Sequence, residues 1–215
     1  MFELLSINNV IFTIAGYPMS LIEFVGTIFY LWSVWLISRK NILTWPIGII
    51  SVLLYMVLFY QIQLYSDTIE QVYYLGASVY GWWIWDRSSK ENRYQLQIEF
   101  SKPKWISFWI FTTLIGTILT FSLMKDIHLL LPTIFQSPAS YPFLDALTTI
   151  MSFTAMWLMA RKKIESWIYW IIVDCIGIWL YYEKEVRFLS ILYIILLIMA
   201  INGLLVWWKE RAVTS

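Results

Sequence analysis

Polar and apolar positions in this chain sort into long apolar blocks with short polar breaks. Seven blocks stand out: Leu21–Ile37, Ile42–Tyr60, Ile69–Trp85, Trp105–Met124, Phe143–Met159, Trp167–Tyr182 and Phe188–Trp208. As helices, each is long enough or nearly long enough to cross a hydrocarbon core about 30 Å thick. The first nineteen residues differ. Phe2, Leu5, Asn8, Asn9 and Phe12 mix polar and apolar positions, and Gly16-Tyr17-Pro18 breaks the run. That pattern predicts a short helix lying on the membrane surface over residues 1–19. The expected fold class is an all-α membrane protein with seven transmembrane helices.

Composition agrees. The 215 residues are 60% hydrophobic and 13% charged, with 14 Trp, 14 Tyr and 13 Phe. Charged residues make up about a quarter of an ordinary soluble domain. Such a domain would have nowhere to put this many apolar side chains. Disorder and a disulfide scaffold are excluded. A net charge of +1 provides no field to attract nucleic acid, so a nucleic-acid partner is excluded too. Cys175 is the single cysteine and cannot form an internal disulfide. His128 is the single histidine, so no His-rich zinc site exists. HExxH, CxxC, P-loop and GxSxG motifs are absent, and no metal or cofactor is expected. An intramembrane enzyme would need a metal or a nucleophile–base pair. His128 is at the wrong depth for this and Cys175 has no histidine beside it, so the chain does not read as an enzyme. The first fifteen residues hold no Lys or Arg, so a cleavable signal is not expected.

Positive charges orient the spans. The breaks after blocks 1, 3, 5 and 7 share one side. They hold Arg39, Lys40, Arg87, Lys90, Arg93, Lys102, Lys104, Arg161, Lys162, Lys163, Lys209 and Arg211, twelve of the fifteen Lys and Arg. The other side holds Lys125, Lys184 and Arg187. The first side is therefore expected to be cytoplasmic, with the N-terminus outside and the C-terminus inside.

The chain also repeats itself. At an offset of 122 residues, Leu36-x-x-Arg39-Lys40-x-Ile42-x-x-Trp45 falls on Leu158-x-x-Arg161-Lys162-x-Ile164-x-x-Trp167. Ile49-Ile50 falls on Ile171-Ile172, Leu58-x-Tyr60 on Leu180-x-Tyr182, and Gly81-x-x-x-Trp85 on Gly203-x-x-x-Trp207. Upstream, Glu23, Thr27 and Trp35 meet Asp145, Thr149 and Trp157. Helices 1–3 thus recur as helices 5–7. A three-helix unit repeated directly would be inverted, and helix 4 restores its orientation. The expected architecture is two parallel three-helix repeats joined by a linker helix (3+1+3). Transporters built from repeats bind substrate between them near the midplane. The implied organisation is 1–19 surface helix, 20–86 first repeat, 87–125 cytoplasmic loop and linker helix, 126–142 external loop, 143–209 second repeat and 210–215 cytoplasmic tail.

Ionisable or amide groups at membrane depth are costly and face the bundle interior. Asp174 is eleven residues from Lys163, about 16 Å from the inner boundary at about 1.5 Å per residue. That is close to the midplane. Tyr74 lies at the same depth, Gln71 and Glu70 a turn further out, and Asn202 nearer the inner surface. Trp167, Trp170 and Asp174 share one helix face, as do Gln71, Tyr74 and Ser78. Aromatic rings ending in a carboxylate suit a flat cationic ring, and amides opposite would bond its polar groups. Each reading has a plainer alternative. Trp45, Trp82, Trp83, Trp85, Trp105, Trp167, Trp207 and Trp208 lie near inner helix ends, where an aromatic belt is expected. Trp170 is a turn deeper and fits either role. Asp174 is the leading site residue, or else a structural hydrogen-bond partner. Glu23 and Asp145 read as first-turn acids, and Asp67 as the N-cap of helix 3. Glu70 either meets water in the first turn or looks into an outer vestibule.

These residues resemble a known family. Trp45-Pro46-x-Gly48, Phe59-Tyr60-x-x-x-Leu64-Tyr65-x-Asp67, Gln71-x-x-Tyr74 and Tyr80-Gly81-Trp82 resemble the first half of the PnuC family. Ala160-Arg161-Lys162, Trp167-x-x-Trp170-x-x-x-Asp174 and Tyr193 through Asn202-Gly203 with Trp207 resemble its second half. The resemblance implies a 3+1+3 fold like that of the SWEET sugar transporters. It implies a homotrimer in the bacterial inner membrane that takes up nicotinamide riboside by facilitated diffusion, with trapping by cytoplasmic phosphorylation. It also implies a substrate site at Gln71, Trp170, Asp174 and Asn202, beside the Tyr74 and Trp167 read from spacing. Asp174 stands where Asn is frequent in the family, and Glu70 where an apolar residue is frequent. Two extra carboxylates leave thiamine or another vitamin as an alternative substrate. A sensor or assembly subunit that transports nothing is the reading outside this class. Cysteine labelling tests the topology: Ser89 and Ser137 are expected to label from opposite sides of the membrane, and labelling from the same side would refute the seven-span count.

Overall fold

The computed structural model describes residues 5–14, 16–62, 65–90, 96–130 and 140–214. Two short strands, β1 (Val10–Ile14) and β2 (Tyr17–Ser20), precede seven helices. These are α1 (Leu21–Ser38), α2 (Thr44–Gln61), α3 (Tyr65–Lys90), α4 (Pro103–Leu130), α5 (Pro142–Ala160), α6 (Glu165–Glu183) and α7 (Arg187–Thr214). All seven apolar blocks are helical. Helices α1, α2, α4, α5 and α7 are each long and apolar enough to cross a membrane. The other two, α3 and α6, carry the polar positions singled out above.

The beginning of the chain departs from the expected surface helix. Residues 10–20 form an antiparallel hairpin, with Phe12 opposite Met19 and Ile14 opposite Tyr17. Val10, Ile11, Thr13 and Ile14 are β-branched and favour extended backbone. Gly16 takes a φ of 83° in the turn, which side-chain-bearing residues rarely adopt. Pro18 cannot sit inside a helix. The hairpin is tied to the bundle. Tyr17 stacks on Phe188 at 5.4 Å and donates its hydroxyl to the Glu23 carboxylate at 2.9 Å. Ser20 caps α1 by accepting from the Glu23 N–H at 3.4 Å. Asp67 lies in the first turn of α3 instead of at its cap. Three helices overrun their expected ends: α3 reaches Lys90, α4 reaches Leu130 and α7 reaches Thr214. Polar residues beyond the apolar block continue the helix in water, as in the Asp86–Lys90 i,i+4 pair at 2.7 Å. His128, expected in a loop, falls on the end of α4, and Ser137 and Arg93 lie outside the described residues.

Packing closes a ring. Helix α1 packs on α2, α2 on α3, α3 on α5, α5 on α6, α6 on α7, and α7 back on α1. Helix α4 packs chiefly on α5, outside the ring. Its Phe111, Leu114, Ile118, Leu119 and Leu123 are exposed, as a lipid-facing surface requires.

Residues related by the 122-residue offset make matching contacts at one end of the ring. Trp45 meets Trp85 edge to face at 5.3 Å, and Trp167 meets Trp207 at 5.5 Å. The Trp85 indole donates to the Ala160 carbonyl at 2.8 Å, and the Trp207 indole to the Ser38 carbonyl at 3.1 Å. Ser38 and Ala160 are the last residues of α1 and α5, where helix carbonyls have no partner within the helix. Each repeat thus caps a helix of the other. Both helices end in the same motif, with Lys40 and Lys162 in left-handed conformation at φ 58° and 56°. Arg39 lies 4.2 Å over Trp35, and Arg161 4.3 Å over Trp157. Lys162 sits 4.7 Å over the Trp85 ring, and burial there lowers its ammonium below the ordinary lysine value.

The brace depends on missing side chains. A Cβ on Gly81 would stand 2.4 Å from the Trp45 ring, and one on Gly203 2.6 Å from the Trp167 ring. Gly81→Ala and Gly203→Ala are each expected to cost about 1–3 kcal/mol by overpacking. Thermal unfolding in detergent should show comparable losses for the two. Trp207→Phe keeps an aromatic ring but removes the indole N–H and leaves the Ser38 carbonyl unpaired, which is expected to cost about 1–3 kcal/mol. An unchanged melting temperature for Trp207→Phe would refute the brace.

Candidate substrate site

Inside the ring, four side chains from four helices lie within electrostatic reach of one another. Tyr30 of α1 and Tyr193 of α7 both lie close enough to Asp174 of α6 to feel its charge. Tyr193 is also a near neighbour of Tyr30 and of Tyr74 of α3. Ser152 of α5 is an electrostatic neighbour of the Tyr74 hydroxyl, and the Tyr74 ring meets Phe153 edge to face at 5.9 Å. Tyr193 lies flat against the α6 backbone, because a Cβ on Gly177 would stand 2.4 Å from its ring. It stacks in turn on Tyr181 at 5.3 Å.

Asp174 is 3% exposed. It makes no hydrogen bond or ion pair among the described residues. A buried carboxylate without a partner is expensive unless a ligand or water completes it. Gln71 is half-buried and likewise unbonded among the described residues. Trp170 is half-buried and packs against the core cluster that contains Trp45, Trp85, Trp167 and Trp207. The polar groups of Asp174 and Gln71 thus make no hydrogen bond among the described residues.

Two of the candidates stand apart. Trp167 is 1% exposed and locked between Gly203 and Trp207. Its indole N–H is buried without a partner, as is that of its equivalent Trp45. Both rings belong to the brace, and neither presents a face to a ligand. Asn202 is exposed, next to the buried Gly203. The structure does not join it to the Asp174 cluster by any contact among the described residues.

Glu70 also finds a definite place. The Thr149 hydroxyl donates to its carboxylate at 2.7 Å, across the α3–α5 contact between the repeats. Asp67, Asp145 and Tyr181 are its electrostatic neighbours. Lys184 lies 4.0 Å from Asp145. The starts of α3 and α5 therefore gather three carboxylates, with Lys184 at the end of α6 beside Asp145. The Tyr181–Tyr193 stack links that group to Asp174.

The sequence reading missed Tyr30, Ser152 and Tyr193 as lining residues. For Tyr193 the repeat carried the signal. At the 122-residue offset Tyr193 falls on Gln71, a residue already read as facing the interior, whereas Tyr30 and Ser152 fall only on each other and had no such signal. No group of three or more metal-ligating side chains occurs among the described residues.

Known proteins share this architecture. The chain is similar to a solved crystal structure of the vitamin B3 transporter PnuC, with a TM-score of 0.68 at 21% identity over 89% of this chain and 82% of that one. It is 32% identical to the nicotinamide riboside transporter PnuC of Escherichia coli strain K12, covering 95% of this chain and 94% of that protein. It is 26% identical to the riboflavin/roseoflavin transporter RibM of Streptomyces davaonensis, over 86% of this chain and 84% of that one. The family model described as nicotinamide mononucleotide transporter matches residues 20–209. With that match spanning both repeats and the braced ring, the chain belongs to the PnuC family of nicotinamide mononucleotide transporters.

Proposed function

We propose that this protein is a bacterial inner-membrane transporter that takes up nicotinamide riboside. The observation that carries the reading is Asp174, buried, unbonded and flanked by Tyr30 and Tyr193 inside the ring. Nicotinamide riboside has a flat, permanently cationic pyridinium ring joined to a ribose. The ring would stack among Trp170, Tyr30 and Tyr193, with Asp174 opposite its charge. Gln71 and Tyr74 would bond the carboxamide or ribose from α3, and Asn202 would take a polar group nearer the basic end. Trp167 acts behind Trp170, as packing that fixes the position of α6.

The same proposal includes the arrangement around the site. All seven helices span the bilayer as two parallel three-helix repeats with α4 as linker, with the N-terminus outside and the basic end cytoplasmic. The alternating contacts of the ring and the distribution of Lys and Arg support this. Assembly as a homotrimer rests on the family resemblance. Transport is facilitated diffusion, with cytoplasmic phosphorylation trapping the vitamin.

The uncommitted carboxylate at Asp174 keeps thiamine, also a cation, as a second reading. Binding titrations of purified protein with nicotinamide riboside and thiamine separate the two. A cation over an aromatic face in a shielded site gains about 1–2 kcal/mol. Trp170→Ala is therefore expected to weaken binding about five- to thirty-fold, at about 1.4 kcal/mol per decade. Asp174→Asn keeps the shape and removes the charge. It should weaken binding of the cationic vitamin far more than that of its uncharged dihydropyridine analogue. Equal losses for both ligands would leave Asp174 as a packing residue.

Flux into kinase-free liposomes is expected to follow the substrate gradient. It should ignore sodium and respond to membrane potential only through the substrate's own charge. Uphill accumulation of unmodified vitamin under an imposed ion gradient would refute facilitated diffusion.

A further inference from the structure

One cavity lies apart from the ring interior and from the carboxylates of Asp67, Glu70 and Asp145. It has a volume of about 310 Å³ and sits at the basic end, between the start of α4 and the α5–α6 turn. Lys102, Trp105 and Trp109 line it from the α4 side, and Arg161 and Lys163 from the turn. One wall is Glu99–Ser101, which is fixed to the turn and the start of α6 by hydrogen bonds. The Ile164 N–H donates to the Glu99 carbonyl at 3.1 Å, and the Ser101 N–H donates to the Glu165 carboxylate at 3.2 Å. The cavity is thus built from held backbone and a helix start.

Its charge is unbalanced. Lys163 pairs with Glu99 at 2.5 Å. The Arg161 guanidinium lies 4.3 Å over the Trp157 ring, a contact that uses none of its N–H donors. Neither Arg161 nor Lys102 has a carboxylate partner among the described residues. Three cations and one carboxylate therefore line the cavity, with the buried Glu165 carboxylate behind it accepting from the Ser101 N–H, beside the positive end of a 28-residue helix. Trp105 is 52% exposed at the rim, as expected for an indole at the headgroup level of a bilayer. In the first repeat the position equivalent to Lys163 is Asn41, and among the described residues a hairpin, not a helix, stands before α1.

We propose that this cavity is a phosphate site that takes the phosphodiester headgroup of an anionic phospholipid from the adjoining leaflet. Lys102 and the Arg161 N–H donors bind the phosphate oxygens. The Trp105 and Trp109 rings lie along the glycerol and upper acyl chain. Basic pockets between transmembrane helices hold anionic headgroups by this chemistry. The lipid would fasten α4, which packs chiefly on α5, to the second repeat.

The test is native mass spectrometry of protein extracted from liposomes of equal phosphatidylglycerol and phosphatidylcholine. Wild type is expected to retain phosphatidylglycerol preferentially. Each cation near the surface contributes about a five-fold preference, so Lys102→Gln should lose about that factor and Lys102→Gln/Arg161→Gln the square of it. Lys102→Arg should keep the preference. Lys102 is solvent-facing, so the single variant is expected to fold even if loss of the Arg161 stack disturbs the double one. Equal retention of the two lipids by wild type, or an unchanged preference in Lys102→Gln, overturns the proposal. Displacement of the retained lipid by millimolar inorganic phosphate would overturn the lipid as occupant and assign the site to a soluble phosphate.

Discussion

Four tryptophans hold the two halves of this molecule together. Inside a bilayer the hydrophobic effect does not draw one apolar helix onto another, since lipid is as apolar as leucine. Association must come from close packing and from satisfying backbone groups that water cannot reach. The reciprocal brace supplies both. Trp85 and Trp207 each donate to a terminal helix carbonyl of the other repeat, and Trp45 and Trp167 fill the space over Gly81 and Gly203. The ring closes at the α3–α5 and α7–α1 contacts because these pairs act in trans.

The frame is nearly symmetric and the interior is not. Under the same 122-residue offset Trp170 meets Gly48, Asp174 meets Val52, Tyr74 meets Leu196 and Asn202 meets Tyr80. Residues that carry structure recur in both halves, and those proposed to carry recognition appear in one. A ligand with a cationic ring at one end and a sugar at the other has no two-fold symmetry. Its site must therefore break the symmetry of the frame that holds it. A single unpaired carboxylate beside tyrosines is a small break with a large electrostatic effect, because charge in a low-dielectric interior is weakly screened.

The opposite end of the ring follows the same economy. Glu70 is bonded to Thr149 across the repeats. In the first repeat the equivalent threonine, Thr27, meets the Glu23 carbonyl and the Tyr55 hydroxyl. Equivalent threonines thus serve the frame in both halves with different partners. Tyr17 brings the hairpin to Glu23, so the short strands help to cover an acidic residue at the start of α1.

The sequence by itself determined the seven helices, their order, the repeat and the family. Long apolar blocks, basic breaks and a fixed 122-residue offset are one-dimensional signals, and hydrocarbon thickness converts them directly to helices. It also placed Asp174, Gln71 and Trp170 among the interior groups, because polar residues at membrane depth have few places to go. Tertiary structure alone decided the rest. Trp167 shares a helical face with Trp170 and Asp174, yet it is closed off by Gly203, a contact 36 residues away that periodicity cannot show. Tyr30 and Tyr193 reach Asp174 only through the α1–α7 and α6–α7 packing. The hairpin over residues 10–20 depended on Gly16 turning the chain and Tyr17 finding Phe188. In each case the deciding partner lies on another element, and only the folded ring brings it within reach.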